Sequence, residues 1–338
     1  MEDREDWIAG HLHYHQDLTP ALFRLVAPLV GRLARAQAID SFFFVRYSLG
    51  GPHLRLRLRL KDLGRRTEVG EAMAAAAAGF LAAEPSQSSW DDEKIRSFNE
   101  RVLAGDPNEK DAAIYPDNFF RFAPFVPEVE RYGGTEAMAA SLQVFCLSSI
   151  AALRFAARFA GDAATGGARL AEAMRLLFFQ ALGFASSRRE LADLLRYGVD
   201  SFGSSAEKII EKGKRVAASQ ADLLQNLNLP PLFAVPGEAR GERELLFLGS
   251  RCLSRLLSGR DSETRARIGG SQLHMTASRL GINNIEEVYL SSLLGSALEN
   301  AEPGLAESLL EPPFKEGDAL AEDPLLFLGQ LVSSAQAP

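Results

Sequence analysis

"GGPHLRLRLRL", Gly50 to Leu60, is the stretch from which the fold of the first third can be read. A glycine pair and a proline make a turn, and strict alternation follows. Leu54, Leu56, Leu58 and Leu60 take one parity, while His53, Arg55, Arg57 and Arg59 take the other. Strand side chains point alternately to two faces. The stretch is therefore a strand with a leucine face to pack under a helix and a cationic face opposite. Three guanidiniums within about 14 Å of strand repel one another unless anionic groups neutralise them. Two readings follow. One is a solvated edge whose arginines discourage edge pairing. The other is a pocket for an anion, for which a carboxylate is suited because guanidinium grips it in a bidentate fork. No acidic residue stands among the arginines, and Arg46 in the preceding strand adds a fourth cation to the second reading.

Working outward, "SFFFVRYSL" (41–49) and "WIAGHLHYH" (7–15) read as strands, separated by an amphipathic helix over 18–36 in which Pro28 marks a kink. Downstream come a helix over 65–83 and strands over 94–103 and 119–126, set among polar, loop-like stretches such as "EPSQSSWDDEK" and "LAGDPNEKD". The order β-α-β-β-α predicts a mixed or antiparallel sheet with covering helices. From about 135 the period becomes helical, beginning with "TEAMAASLQVFCLSSIAALRFAARFA". "ATGGAR" (164–169) breaks it, and helices are expected over 168–183, 187–200, 204–227, 240–258, 262–279 and 284–299. Pro230-Pro231 and Pro236-Gly237 interrupt that series, and a Pro- and Glu-rich tail, 301–338, reads as irregular. The expectation is one α+β domain over 1–338, with an α/β part (1–134) and a mostly helical part (135–300).

The totals bound the function. A chain of 338 residues that is 46% hydrophobic can bury a large core. A net charge of -7 argues against a general nucleic-acid surface, which needs a dominant basic face, but leaves room for a local basic pocket. Cys146 and Cys252 are the only cysteines, too few for a disulfide framework or a CxxC metal site, and this suits a reducing cytoplasm. The start, "MEDREDW", lacks the layout of a signal peptide. The most apolar run, "AMAAAAAGFLAA" (Ala72 to Ala83), is about half the length that spans a bilayer. The expectation is a cytoplasmic protein with no membrane or direct nucleic-acid partner.

Other constellations carry two readings each. His11, His13 and His15 share a strand face, as metal ligands or as part of an ordinary half-buried strand beside Trp7 and Tyr14. No HExxH or cysteine cluster supports the metal, and none is expected. "PEVERYGG" places Glu128 and Arg131 at i, i+3, a local ion pair ahead of a turn or part of a site. "SQLHMTASRLG" puts His274 and Arg279 on a helix, and His274 is the only histidine beyond residue 53. There is no GxxxxGK[ST] loop, no dinucleotide fingerprint after a strand and no GxSxG elbow. Nothing points to ATP, NAD or a serine hydrolase.

"FFFVRYSLGGPHLRLRL", "PEVERYGG" and "LHMTASRLG", in this order and spacing, resemble the C-terminal elimination domain of class I lantibiotic dehydratases, a domain that also occurs free-standing in thiopeptide-type bacteriocin pathways. The opening "WIAGHLHYHQDLTPALFRLVAPLV" fits the start of that domain, and the resemblance runs over roughly 5 to 300. In that family a separate glutamylation domain esterifies Ser or Thr of a precursor peptide with glutamate from glutamyl-tRNA. The elimination domain then expels glutamate, leaving dehydroalanine or dehydrobutyrine. The resemblance therefore implies a peptide lyase without metal or organic cofactor. Its implied partners are a precursor peptide, made of a leader and a Ser/Thr-rich core, and a separate tRNA-dependent glutamylation protein, because this chain lacks the glutamylation region. A homodimer follows only by analogy with the full-length dehydratases.

Carried over from the family motifs, the catalytic positions are Arg55, Arg57, Arg131 and His274. The arginines would clasp the glutamyl carboxylate and offset charge developing in the transition state. His274 would move the proton, because imidazole titrates near neutral pH and arginine is a poor base. Arg46, His53, Arg59, Glu128, Ser278 and Arg279 are the expected substrate-binding positions. Two departures stand out: Ser278 where the family has Asn, and Phe125 where a tyrosine is common. Rival readings are a pyridine synthase of the same fold, which joins two dehydroalanines by a formal aza-cycloaddition and expels the leader, and a non-catalytic peptide-binding scaffold. The former tend to depart from the charged set, and an emptied site would be expected to lose His274 or Arg131.

Overall fold

The structure, a computed structural model, describes residues 4–88, 90–105, 113–159, 166–200, 206–220, 222–227, 241–302, 304, 305 and 310. Residues 164 and 165 of the expected break, the Pro230-Pro231 and Pro236-Gly237 interruptions, residues 106–111 of "LAGDPNEKD" and most of the tail lie outside the described residues. The chain divides into two compact units mainly at the Pro127/Glu128 junction, with residues 156–159 counted in the first.

The first unit holds a sheet of β1 (Trp7–His13), β2 (Ile39–Tyr47), β3 (His53–Leu60) and β4 (Phe119–Ala123) in the order β2-β3-β1-β4. Every pairing is antiparallel. The leucines of β3 lie between 0% and 5% exposed, together with Phe42 and Phe44 of the neighbouring strand. Helix α3 (Arg66–Ala83) packs on β1 and β4. The expected 18–36 helix forms as α1 (Thr19–Ala21), a π-helical turn over Leu22–Val26, and α2 (Ala27–Arg35). Pro28 lies in the first turn of α2, and Ala27 N–H reaches back to Leu22 O across the wide turn. A proline lacks the donor an unbroken helix needs and crowds the preceding turn, so the irregularity falls just before it.

One expected strand is a helix instead. Residues 94–103 lie within α4 (Asp92–Gly105). Asp91 Oδ1 accepts the Lys94 N–H at 2.9 Å, and Asp92 and Glu93 occupy the first turn, where carboxylates complement the helix dipole. Ile95 and Asn99, four apart, are both buried. Asn99 Oδ1 accepts the Gly50 N–H at 3.0 Å and so pins the turn that launches β3.

The second unit is helical: α5 (Thr135–Phe159), α6 (Gly166–Phe184), α7 (Arg188–Asp200), α8 (Glu207–Ser219), α9 (Leu223–Asn226), α10 (Glu242–Leu256), α11 (Ser262–Arg279) and α12 (Asn284–Asn300). The single helix expected over 204–227 is thus two, parted where Gln220 leaves helical geometry at φ -128° and ψ 70°. α6 packs on α10, α12 on α7 and α8, and α11 on α6 and α7. Phe178, Phe179 and Phe247 are at most 1% exposed; burying each such ring contributes ~1.5–3 kcal/mol. Helix α5 is long and apolar enough to cross a membrane, with mean hydropathy 1.5, but 83% of that window is buried inside the fold. Apolar length here, greater than that of the alanine run at 72–83, serves a core helix.

A buried ionic clamp joins three helices. Arg265 of α11 donates from Nε to Glu190 of α7 at 2.7 Å and from its terminal nitrogens to the Ser254 carbonyl and hydroxyl of α10. Helix α12 starts on a capping box between Asn283 and Glu286, and Arg188 donates to the Leu298 carbonyl at its end.

Candidate functional site

Strand register decides what the arginine row faces. Residues paired with the row across both neighbouring strands share its face: Trp7, Ala9, His11 and His13 of β1, and Ser41, Phe43, Val45 and Tyr47 of β2. Arg121 of β4, opposite His11, joins them. Because β3 has a partner on each side, its arginines are not guards of a free edge; that alternative falls. The leucine face does pack inward as expected.

Arg46 corrects the count. It pairs with Leu54, so it belongs to the opposite face, where it meets Asp17 at 3.6 Å and Thr19 Oγ1 at 3.4 Å. Arg59 shares the row but its Nε holds Asp40 at 2.5 Å. Both therefore engage carboxylates of the chain itself. Arg55 lies 3.5 Å above the Tyr47 ring, and Arg57 is 5.2 Å from the Phe43 ring and 5.1 Å from that of Phe125. Phe125 also meets Trp7 edge-on at 5.2 Å, so its ring packs within this apolar cluster.

His53 is 2% exposed and acts on Arg55. Arg55 Nε donates to His53 Nε2 at 3.0 Å, so Nδ1 carries the proton and donates to the Gly51 carbonyl at 2.7 Å. Gly51 makes this loop with φ +102°, a backbone region disfavoured for side chains bearing Cβ, and a Cβ there would stand 2.5 Å from His15 Nε2. His53 thus orients a guanidinium. His13 stacks on His53 with ring centroids 4.6 Å apart, and His11 lies 5.3 Å from His53. Burial, reinforced by Arg55 and Arg121, lowers the pKa of His53 to about 2 and that of His13 to about 3; burial and Arg55 lower His11 to about 2. These imidazoles are neutral, and Arg55, Arg57 and Arg121 bring three guanidiniums to this face. Among the described residues no group of three or more His, Cys, Asp or Glu is placed to hold a metal.

In the second unit, "ERYGG" forms the turn before α5. Gly133 and Gly134 have φ +90° and +108°, and a Cβ on Gly133 would come within 2.9 Å of Leu257. Glu128 and Arg131 form the local pair foreseen from their spacing, at 3.3 Å and half exposed. The turn is tied to α11: Tyr132 Oη and Ser271 Oγ are 3.2 Å apart, and Arg267 donates to the Arg131 carbonyl at 3.0 Å. This brings Arg131 to the helix of His274, close enough for its charge to oppose protonation of the imidazole.

His274 Nδ1 lies 2.9 Å from Glu287 Oε2, a pairing across α11 and α12. Burial alone would lower the histidine's pKa, but the hydrogen bond and charge of Glu287 outweigh it, and the net shift is upward from 6.5. Glu287 has no motif in the sequence; the short turn between α11 and α12 brings it to His274. Ser278 is half buried. Arg279 is wholly buried, with its guanidinium 4.6 Å from the Phe145 ring. Burial lowers its pKa to about 9. It lies beneath the surface, on the Phe145 ring of α5.

A family model described as lantibiotic biosynthesis dehydratase C-term matches residues 7–298. Among curated proteins there is no match. Among solved structures, one described as pyridine synthase, TbtD, from thiomuracin biosynthesis is similar with TM-score 0.69 and 18% identity, over 88% of this chain and 98% of that one. The structure of TsrL is similar with TM-score 0.54 and 16% identity, over 91% of this chain and 99% of that one. The tRNA-dependent lantibiotic dehydratase MibB from Microbispora sp. 107891 aligns with TM-score 0.49 and 18% identity, over 87% of this chain and 28% of that one. At these identities the likenesses speak to fold.

Proposed function

The chain belongs to the lantibiotic biosynthesis dehydratase C-terminal family, and from that premise we propose that it is a lyase that expels glutamate from O-glutamylated Ser or Thr of a ribosomally made precursor peptide. A base takes the Cα proton, the electron pair becomes the Cα=Cβ bond, and the Cβ–O bond breaks so that glutamate leaves as a carboxylate. His274 is the proton acceptor. Arg131, whose charge reaches it, offsets negative charge developing on the peptide carbonyl. Arg55 and Arg57 supply guanidiniums for the glutamyl carboxylate. A separate protein forms the ester from glutamyl-tRNA, which puts the reaction in the cytoplasm.

The observation that carries this reading is that His274, inside the span of the family match, is paired to a carboxylate and lies within the field of Arg131. A second reading, joining two dehydroalanines into a pyridine, draws on the similarity to TbtD over 98% of that chain. Retention of Arg55, Arg57, Arg131 and His274 favours elimination.

The test is mass spectrometry of purified protein with an O-glutamylated peptide. Release of glutamate, leaving a product one water lighter than the unmodified peptide, is expected. A macrocycle formed from an already dehydrated peptide would assign the pyridine reaction, and binding without chemistry the scaffold. His274→Ala and Arg131→Ala should let the glutamylated peptide accumulate, with rates lower by on the order of a hundredfold.

A further inference from the structure

We propose that Glu287 is the positioning residue of His274: it holds the proton on Nδ1, leaving Nε2 as the basic nitrogen, and stabilises the imidazolium that forms when Nε2 takes a proton. The proposal rests on the elimination reading for the identity of that proton, the one on Cα of the glutamylated residue, but not for the pairing itself.

Geometry carries the argument. The Nδ1···Oε2 distance is 2.9 Å, and the Glu287 side chain is 6% exposed against 40% for His274. Substrate therefore meets the imidazole and not the carboxylate. A carboxylate taken out of water needs donors or positive charge to compensate it, and the ring N–H of His274 is such a donor. Glu287 lies in the first turn of α12, next to buried Val288 and one turn before buried Leu290, and Asn283 and Glu286 cap that helix. The carboxylate thus sits on a fixed element. With Nδ1 committed, the ring presents Nε2, and a carboxylate behind a histidine both selects the tautomer and favours the protonated ring. Among the described residues, charged groups that reach His274 include Glu287 of α12, Arg131 of the turn before α5 and Arg279 of α11 itself. Both arginines disfavour imidazolium, so Glu287 is the group among these that favours it. The other four histidines are all shifted the opposite way, so His274 is identifiable in a titration.

Nitrogen-detected NMR of the histidine side chains in the wild-type protein should show one ring with the proton on Nδ1 and a pKa above 6.5. Glu287→Gln should lower that pKa; Glu287→Asp should keep most of it. With glutamylated peptide, Glu287→Gln should move the acid limb of the pH–rate profile to lower pH and lower kcat by roughly tenfold or more, with KM little changed. An Nε2–H tautomer in the wild type, which needs no variant to fold, overturns the pairing. So does an unmoved His274 pKa in Glu287→Gln. If the NMR results come out as expected while wild-type protein releases no glutamate, the positioning role stands and the elimination reading falls.

Discussion

A guanidinium does not release its proton near neutral pH, so a histidine that meets one must accept. That rule sets the tautomer of His53 and makes it a support for Arg55. It also sorts the arginines. Arg46 and Arg59 already hold Asp17 and Asp40, and Arg46 lies on the other face. Arg55→Ala and Arg57→Ala are expected to slow glutamate release by on the order of a hundredfold. Arg46→Ala and Arg59→Ala should leave it nearly unchanged, as steady-state kinetics with the glutamylated peptide will read. Alternation made the row visible in the sequence, but the partners Asp17 and Asp40 were not, because each comes from a segment that only folding brings near.

At the scale of elements, the helical unit depends on side chains that tie one helix to the next. The Arg265–Glu190 pair is about a tenth exposed on both sides, and Ser254 completes the arginine's bonds. Removing one partner of such a buried pair leaves a charge uncompensated, at about 3–5 kcal/mol. Arg265→Ala should lower the denaturant midpoint accordingly, whereas Asn283→Ala, which removes only the cap of α12, should cost about 1 kcal/mol. Helix positions in this unit were legible because the 3.6-residue period is sustained: α11 falls on the expected 262–279. Residues 94–103 read as a strand only if their period is passed over: Ile95, Phe98, Val102 and Leu103 stand at i, i+3, i+7 and i+8, which is helical spacing, and the Asp91 cap and acidic first turn add to it.

For the whole molecule, acid stability should follow the sheet histidines. Their folded pKa values, about 2 for His11 and His53 and about 3 for His13, lie below the ordinary 6.5. Between those values the unfolded chain binds more protons, so stability rises with pH and is lost as pH falls from 6.5 toward the folded values. Each buried ring contributes up to about 1.4 kcal/mol per pH unit in that window. His274 has the opposite sign: with a folded pKa above 6.5, its contribution is complete below 6.5 and fades as pH rises through the folded value. Thermal melts should therefore fall steeply below pH 6.5, and His13→Phe, which keeps a stacked ring and removes the titration, should flatten that fall.

Alternation along β1 to β3, the double-glycine turns, the run of helices after residue 135 and the charged motifs were legible from the residues alone, because they follow from periodicity and backbone sterics within short segments. Only the tertiary structure decided that β3 has a partner on each side, that Arg46 faces away, that Arg279 is enclosed and that Glu287 stands behind His274. Those facts depend on strand register and helix pairing, which bring together residues whose separation along the chain carries no local signal.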